Sequence, residues 1–157
     1  GLGVDAVAFL DADNWYRPDH IASLLAAMDQ HQADFISSGR TLCRLDGSVM
    51  GCCPLTDPDR FIDTNAMLFG RGAFPLLHQW VLMPTYGHLI GDRIMLHHLK
   101  QSGLKRRHLD QASVFYRCAK AGLYRQLKQT IPSGVEARPD YETSFRLWEA
   151  DGYPPLK

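Results

Sequence analysis

Residues 9–18 read FLDADNWYRP, and this stretch decides how the fold is interpreted. An apolar run leads into it, so residues 5–10 predict a short strand of the kind buried on both faces of a parallel sheet. Asp11 and Asp13 follow at the carboxyl end of that strand. Pro18 suits the first turn of a helix, where its missing N–H costs nothing. The stretch therefore predicts a strand, a loop with two carboxylates, and a helix.

Helical and extended patterns alternate along the rest of the chain. The first predicted helix has an apolar stripe at helical spacing, made by Ile21, Leu24, Leu25 and Met28. Strands are predicted for three extended stretches, ADFISS to TLCRL, FIDTNAMLF and RRHLDQASVFYR, with a hairpin turn at Asp46-Gly47. Further helices are predicted over residues 72–80, over GDRIMLHHLKQSG, and twice within residues 123–152. In GDRIMLHHLKQSG, Asp92 fits the N-cap and Gly103 fits the position just after the helix. This alternation predicts an α/β fold.

Length and charge limit the class of protein. At 157 residues the chain is one domain by length, and its 45% hydrophobic and 22% charged residues are ordinary for a soluble globular protein. Seventeen basic residues balance seventeen acidic ones, so no global field attracts nucleic acid or an anionic membrane. No stretch approaches the roughly eighteen apolar residues of a membrane span. We therefore expect neither a nucleic acid partner nor a membrane span.

The cysteines do not form a metal-binding pattern. Cys43, Cys52, Cys53 and Cys118 show no CxxC spacing, and HExxH is absent. A zinc site is therefore not expected, and four free thiols predict a cytoplasmic protein. The chain begins GLGVD without a methionine, so we expect it to be processed or to be part of a longer protein.

The two aspartates after the first predicted strand are candidate metal ligands. Ligands of open α/β sheets bind outside the carboxyl ends of the strands. If the chain stays extended, Asp11 and Asp13 project to one side, where their carboxylates repel each other unless a positive charge lies between them. Mg²⁺ or Mn²⁺ takes oxygen ligands and keeps positions open for phosphate oxygens. The spacing therefore suits a metal–diphosphate site.

The same aspartates also have a purely structural interpretation. Asp11 can end the strand and Asp13 can cap the next helix, and a bare DxD is a short and common motif. A calcium loop of the EF-hand type is excluded, because Trp15 stands where the third oxygen ligand belongs and a strand precedes the loop.

Four segments, in order, resemble family 2 glycosyltransferases, which are enzymes of the GT-A fold. FLDADNWYRPDHIASLL resembles the DxD region, and FIDTNAMLFGRGAF resembles the acceptor-side strand with the arginine-bearing turn after it. GDRIMLHHLKQSG resembles the segment that carries the catalytic acid, and SVFYR resembles the late strand that closes in Tyr-Arg. The resemblance implies a mixed sheet flanked by helices. It lies in residues 1–118 of one domain spanning 1–157, with residues 119–157 as a C-terminal helical extension.

The chain departs from the family pattern in three ways. The usual Glu-Asp pair is Gly91-Asp92 here, which leaves one candidate acid. The histidine that follows the late Tyr-Arg has no clear counterpart in CAKAGLY. The N-terminal strands that bind the nucleotide base are expected to be missing, so the domain is expected to be incomplete.

The resemblance implies an inverting glycosyltransferase. Its donor would be a nucleotide-diphosphate sugar, and its acceptor an unknown saccharide or another hydroxyl compound. A divalent cation, Mn²⁺ or Mg²⁺, would be held by Asp13, with Asp11 reaching it directly or through water and Asn14 beside them at the donor. Asp92 would be the general base that takes the proton of the acceptor hydroxyl. Substrate-binding roles would fall to Trp15, Asp63, Asn65 and Arg93, and a homo-oligomer is possible for such a chain.

Structural roles remain open for several of these residues. Asp92 can be only an N-cap, Trp15 can pack against a neighbouring loop, and Arg93 can be solvated. Asp63 and Asn65 can be polar residues at a strand edge without a function.

Two other functions fit parts of the sequence. A phosphatase of the haloacid-dehalogenase-like class also places DxD after an apolar strand, with Asp11 as nucleophile. That class needs an acid four places after Asp92, where Leu96 stands. The chain can also be a non-catalytic, truncated GT-A domain, or a module that completes its sheet with another chain.

Overall fold

A mixed sheet forms the centre of the computed structural model, which describes residues 3–135 and 140–156. In these residues the sheet has six strands, in the order β1-β5-β3-β6-β2, with β4 paired to β3. The strands are β1 (Ala6–Ala8), β2 (Trp15–Tyr16), β3 (Phe35–Cys43), β4 (Val49–Cys52), β5 (Met67–Gly70) and β6 (Arg106–Arg117). The strands β3 and β6 pair in parallel, and the other pairs are antiparallel.

Helices flank this sheet, so the predicted α/β class is confirmed. They are α1 (His20–His31), α2 (Gln79–Leu82), α3 (Gly91–Gln101), α4 (Ala121–Gln126) and α5 (Tyr141–Ala150). Short 3₁₀ turns lie at Thr64–Ala66, Arg71–Leu76 and Thr85–Ile90. In the part of the chain that the structure describes, no helix has the length and apolar character needed to cross a bilayer.

The core lies on both faces of the sheet. Successive side chains of a strand point to opposite faces, and the neighbours Phe35 and Ile36 of β3 show this directly. Phe35 packs in one cluster with Met95 and Leu99 of α3. Ile36 packs in another cluster with Leu24 of α1. The sheet is therefore sandwiched between α1 and α3.

Elements with strong local signals agree with their predictions. The hairpin at Asp46-Gly47 joins β3 to β4, with Gly47 at φ +87° and the Asp46 carboxylate accepting from Ser48 N at 2.9 Å. The strand β6 and the helix α3 occupy the predicted segments, and Gly103 has the positive φ of +71° expected after a helix. The two C-terminal helices are α4 and α5, and residues 136–139 of the loop between them lie outside the described residues.

Five local predictions are wrong. The first strand is antiparallel to β5 and only half-buried, so it is not a doubly buried parallel strand. In FIDTNAMLF only the last three residues belong to a strand, β5 (Met67–Gly70), because the Asp63 carboxylate accepts from Asn65 N and starts a 3₁₀ turn. Residues 72–80 contain the end of a 3₁₀ turn and the start of α2 in place of one helix.

The other two errors concern a helix face and a helix cap. Of the predicted apolar stripe Leu24 is buried, as expected, but Ile21 and Leu25 are exposed, and α1 buries Ala27 in addition. Asp92 is not an N-cap, because Ile90 holds that position and the Asp92 carboxylate accepts from Arg93 N inside the first turn.

Candidate active site

The loop after β1 is a turn and is not extended. Asn14 N donates to Asp11 O at 3.1 Å, which closes a tight turn over the DADN segment. Asn14 is buried, and its side-chain oxygen accepts from Arg117 N of β6 at 2.8 Å. This anchor holds the turn at the end of β6. The geometry of an extended strand, which would point Asp11 and Asp13 to the same side, therefore does not apply to this loop.

A polar cluster from the turn before β5 fixes Asp11. Asn65 Nδ2 donates to the Asp11 carboxylate at 2.9 Å, and Asp11 N donates to Asn65 Oδ1 at 2.6 Å. Asn65 Nδ2 also donates to Asp63 at 2.7 Å. Asn65 and Asp63 are buried, with 1% and 7% of their surface exposed. Two residues far apart in sequence, Asp11 and Asp63, are thus joined through one amide.

Arg40 of β3 neutralises Asp63. Its guanidinium forms a buried ion pair with the Asp63 carboxylate and lies over the rings of Phe61 and Tyr116, at 4.8 and 4.4 Å from their centroids. Although burial alone would lower it, the pKa of Arg40 is raised by the charge of Asp63. A charged arginine in the middle of a buried strand is therefore matched by a carboxylate and two aromatic faces.

Asp92 has the most perturbed carboxyl group of this region. Loss of solvent around the side chain, and then the negative charge of Asp63, raise the pKa of Asp92 from 3.8 to about 6. Arg40 and Arg93 oppose this shift. Its one hydrogen bond in the described residues is from Arg93 N at 2.8 Å. A carboxyl group with a pKa near neutrality is suited to accept a proton during a reaction.

Two cavities meet at Asp92. The first, of about 500 Å³, is called the acidic cavity here and is lined by Asp11, Asp63, Asn65, Trp80, Asp92 and Lys120, among others. The second, of about 520 Å³, is called the aromatic cavity and includes Phe61, Arg93, Tyr116, Tyr141, Phe145 and Arg125 in its lining. Asp63, Leu89, Asp92, Tyr116 and Lys120 line both. A ligand in each cavity would therefore have Asp92 beside it.

The predicted site residues divide into two groups. The cavities collect Asp11, Asp63, Asn65, Arg93 and Asp92. Asp13, Asn14 and Trp15 do not line either of them. The ring of Trp15 stacks on Phe115 at 5.4 Å, with the guanidinium of Arg117 5.5 Å from its centroid, so its contacts are with β6. Asp13 is exposed at the tip of the turn.

The carboxylates of the turn fit a cation that is shared with a substrate. Within residues 3–135 and 140–156, no group of three or more His, Cys, Asp or Glu side chains could hold a metal ion. Mg²⁺, however, is usually held by one or two carboxylates together with waters and substrate phosphates. In the described residues the Asp13 carboxylate has no partner, and the hydrogen bonds of Asp11 go to one of its two oxygens, Oδ2. These oxygens are available for such a cation.

Three side chains of this region were not among the residues predicted from the sequence. Arg40 was the one charge within a buried strand, and that pattern could have drawn attention to it. Lys120 follows the late Tyr-Arg at the place where the family histidine has no counterpart, and it lines both cavities. Phe145 comes from α5, and no local signal connects that helix to the turn after β1.

The family model described as "Glycosyl transferase family 2" matches residues 3–126, which is most of the chain. No curated protein matches it significantly.

Proposed function

This chain belongs to glycosyl transferase family 2, and from that premise we propose that it is an inverting glycosyltransferase that moves a sugar from a nucleotide-diphosphate sugar to an acceptor hydroxyl. The observation that carries the proposal is the position of Asp92. It lies where the acidic cavity, which contains Asp11, joins the aromatic cavity. Donor and acceptor would then meet beside Asp92, the one carboxyl group among the described residues whose pKa is raised toward neutrality.

Asp92 acts as the general base in this mechanism. Ionised, it takes the proton of the acceptor hydroxyl as the oxygen attacks the anomeric carbon from the face opposite the diphosphate. The bond between the anomeric carbon and the diphosphate breaks, and its electron pair leaves with the phosphate oxygen. Because the attack comes from the opposite face, the product has the inverted configuration. Asp92 needs no large movement to reach both substrates, because it lines both cavities.

Asp11 and Asp13 bind the donor through a cation in this mechanism. Bound there as Mn²⁺ or Mg²⁺, a cation would neutralise the negative charge that develops on the departing diphosphate. Asn65 and Asn14 orient the Asp11 carboxylate by donating to it at 2.9 and 3.4 Å. Asn65 keeps this orientation because its own amide is tied to Asp63, whose charge is matched by Arg40.

Turnover of nucleotide sugars tests the proposal. The full chain is incubated with Mn²⁺ and a panel of UDP-, GDP- and dTDP-sugars, and release of the nucleoside diphosphate is measured with and without saccharide acceptors. Asp92→Asn is expected to lower the rate by about 10²–10⁴-fold, the usual contribution of a general base. Asp29→Asn, an exposed carboxylate on α1, is the matched control and should keep full activity. A wild-type rate retained by Asp92→Asn would contradict the proposal.

The phosphatase interpretation gains no support from the structure. Leu96, which stands where that class needs a second acid, is 3% exposed and packs in the core with Met95 and Leu99. The family match is to glycosyltransferases.

One observation favours a non-catalytic role in which the chain pairs with another chain. In the described residues β1 is the last strand of the sheet and pairs with β5 on one side only. An unpaired strand edge can be completed by another chain. Light scattering across a concentration series tests this second candidate: a stable dimer without turnover of any nucleotide sugar would favour it over transfer.

A further inference from the structure

The aromatic cavity takes part of its wall from outside the matched family segment. Tyr141 and Phe145 belong to α5, which begins after residue 126, and they face Phe61 and Tyr116 of the family core across the cavity. The contents of this cavity are therefore set in part by residues outside the matched segment.

Aromatic rings hold two cations at this cavity. The guanidinium of Arg93 lies 5.3 Å from the ring centroid of Phe61 and 5.7 Å from that of Phe145. The ammonium of Lys120 lies 5.6 Å from the ring centroid of Tyr141 and 3.3 Å from its hydroxyl oxygen. A ring face attracts a cation without neutralising it. Both charges are thus positioned and remain available to a ligand.

The charges around the cavity do not balance. Arg40 and Asp63 compensate each other as a buried pair. Three further cations, Arg93, Lys120 and Arg125, line the cavity, and within the described residues none of them forms an ion pair. Among the described residues that line the cavity, the carboxylates on the other side are Asp92 and Glu142, so these three cations exceed them by one charge.

The geometry points to an anionic saccharide as the acceptor: a sugar ring that bears a carboxylate or a phosphate group, bound in the aromatic cavity with its reacting hydroxyl at Asp92. This inference rests on the proposed function, since it names the acceptor class of that site. The ring would pack against Phe61, Tyr141 and Phe145, and its anionic group would accept hydrogen bonds from Arg125 and Lys120. Hydrogen bonds between ionised partners are about twice as strong as neutral ones, so they would distinguish charged from uncharged sugars.

Binding of a matched pair of glycosides tests the inference without donor, metal or turnover. Dissociation constants of methyl β-D-glucuronide and methyl β-D-glucoside are measured with the full chain by ligand-observed NMR at low salt. The glucuronide is expected to bind about fivefold more tightly or better, the size of one charge-assisted contact at a partly exposed site. Equal affinities would overturn the inference.

Substitution of two arginines tests whether the preference for the glucuronide comes from Arg125. Arg125→Gln should lower the affinity for the glucuronide by about fivefold and leave that for the glucoside unchanged. Arg146→Gln is the matched control, because Arg146 is exposed on α5 and does not line the cavity. A preference for the glucuronide that survives Arg125→Gln, or is lost equally in Arg146→Gln, would contradict the assignment.

A second pair of probes separates a saccharide from a bare anion. Glucose 1-phosphate is expected to bind more tightly than inorganic phosphate, because only the former covers the aromatic rings. Equal binding of the two would contradict a saccharide site. Since these measurements need no nucleotide sugar, they can fail while metal binding and turnover hold, and the reverse result would count against the proposed function alone.

Discussion

The ionised carboxylate of Asp92 destabilises the fold, and the same surroundings suit it to the proposed role of general base. Its carboxylate has lost solvent and lies near the negative charge of Asp63, and both effects disfavour ionisation. Arg40, which forms an ion pair with Asp63, and Arg93 offset these effects only in part. The folded protein therefore holds a carboxyl group that is ready to accept a proton near neutral pH, at some expense in stability.

The pH dependence of turnover follows from this pKa. A general base works only when ionised, so kcat/KM should fall about tenfold per pH unit below the pKa of about 6 that Asp92 has in the free protein. The measurement is kcat/KM between roughly pH 4.5 and 8, over which an ordinary aspartate, with a pKa of 3.8, would give an almost flat profile. A flat profile would exclude Asp92 as the base.

Removal of the Asp92 charge should stabilise the fold. A carboxyl group whose pKa is raised on folding loses stability as the pH rises through its folded pKa, so Asp92→Asn should gain roughly 1–3 kcal/mol in the free energy of unfolding at about pH 8. The gain should shrink as the pH is lowered from about 6 toward 3.8. Urea unfolding of wild type and Asp92→Asn at about pH 8 and at about pH 4 measures this difference in the free energy of unfolding. A variant less stable than wild type at high pH would show that the carboxylate is structural.

At the scale of elements, the 3₁₀ turn Thr64–Ala66 and the strand β3 form the support of the site. The turn places Asp63 and Asn65 just before the first residue of β5, and β3 places Arg40 beside Asp63. Because Asn65 also donates to the Asp11 carboxylate, a displacement of this turn would move Asp11 and the loop after β1.

Breaking the buried pair should be costly. Arg40→Met leaves Asp63 buried without its cation and should cost about 3–5 kcal/mol in unfolding free energy. Arg71→Met is the matched control, because the Arg71–Asp5 pair is exposed and such pairs contribute about 0–1 kcal/mol. Chemical unfolding of both variants compares them. Similar losses in the two would mean that the buried pair is not a special support.

The hairpin between β3 and β4 offers a test of local backbone strain. Gly47 has φ +87°, which residues with a Cβ adopt only at a cost, so Gly47→Ala should lose about 1 kcal/mol. Gly122→Ala in α4 is the matched control, since a Cβ there meets nothing within 4 Å and alanine favours a helix. Thermal unfolding of both variants is the measurement, and a neutral Gly47→Ala would contradict the turn geometry.

At the scale of the whole molecule, local patterns predicted what depends on neighbours in sequence. Helix α3, strand β6 and the hairpin at Gly47 follow from periodicity, a C-terminal glycine and an Asp-Gly turn. The direction of β1 could not be predicted in this way, because it depends on the pairing with β5, some sixty residues later. The likeness of four ordered segments to the family was the strongest signal, and the family match confirms it.

The site was predicted only in outline for the same reason. Asp92 and Asp11 were identified from motifs, whereas Arg40, Lys120 and Phe145 reach the cavities through long-range contacts that no local pattern announces. The side-by-side placement of Asp11 and Asp13 was conditional on an extended loop, and the loop is instead a turn that Asn14 anchors on β6 through a contact distant in sequence.

Calorimetry of Mn²⁺ binding in the presence of UDP tests the central claim most directly, which is that the turn after β1 holds a cation for the donor diphosphate. Three forms of the full chain are compared: wild type, Asp13→Ala, and Asp29→Ala as an exposed carboxylate control. Wild type and Asp29→Ala are expected to bind Mn²⁺ equally, and Asp13→Ala at least about tenfold more weakly, because the cation loses a charged ligand. Equal affinity of wild type and Asp13→Ala, or no uptake of Mn²⁺ by wild type, would contradict the account.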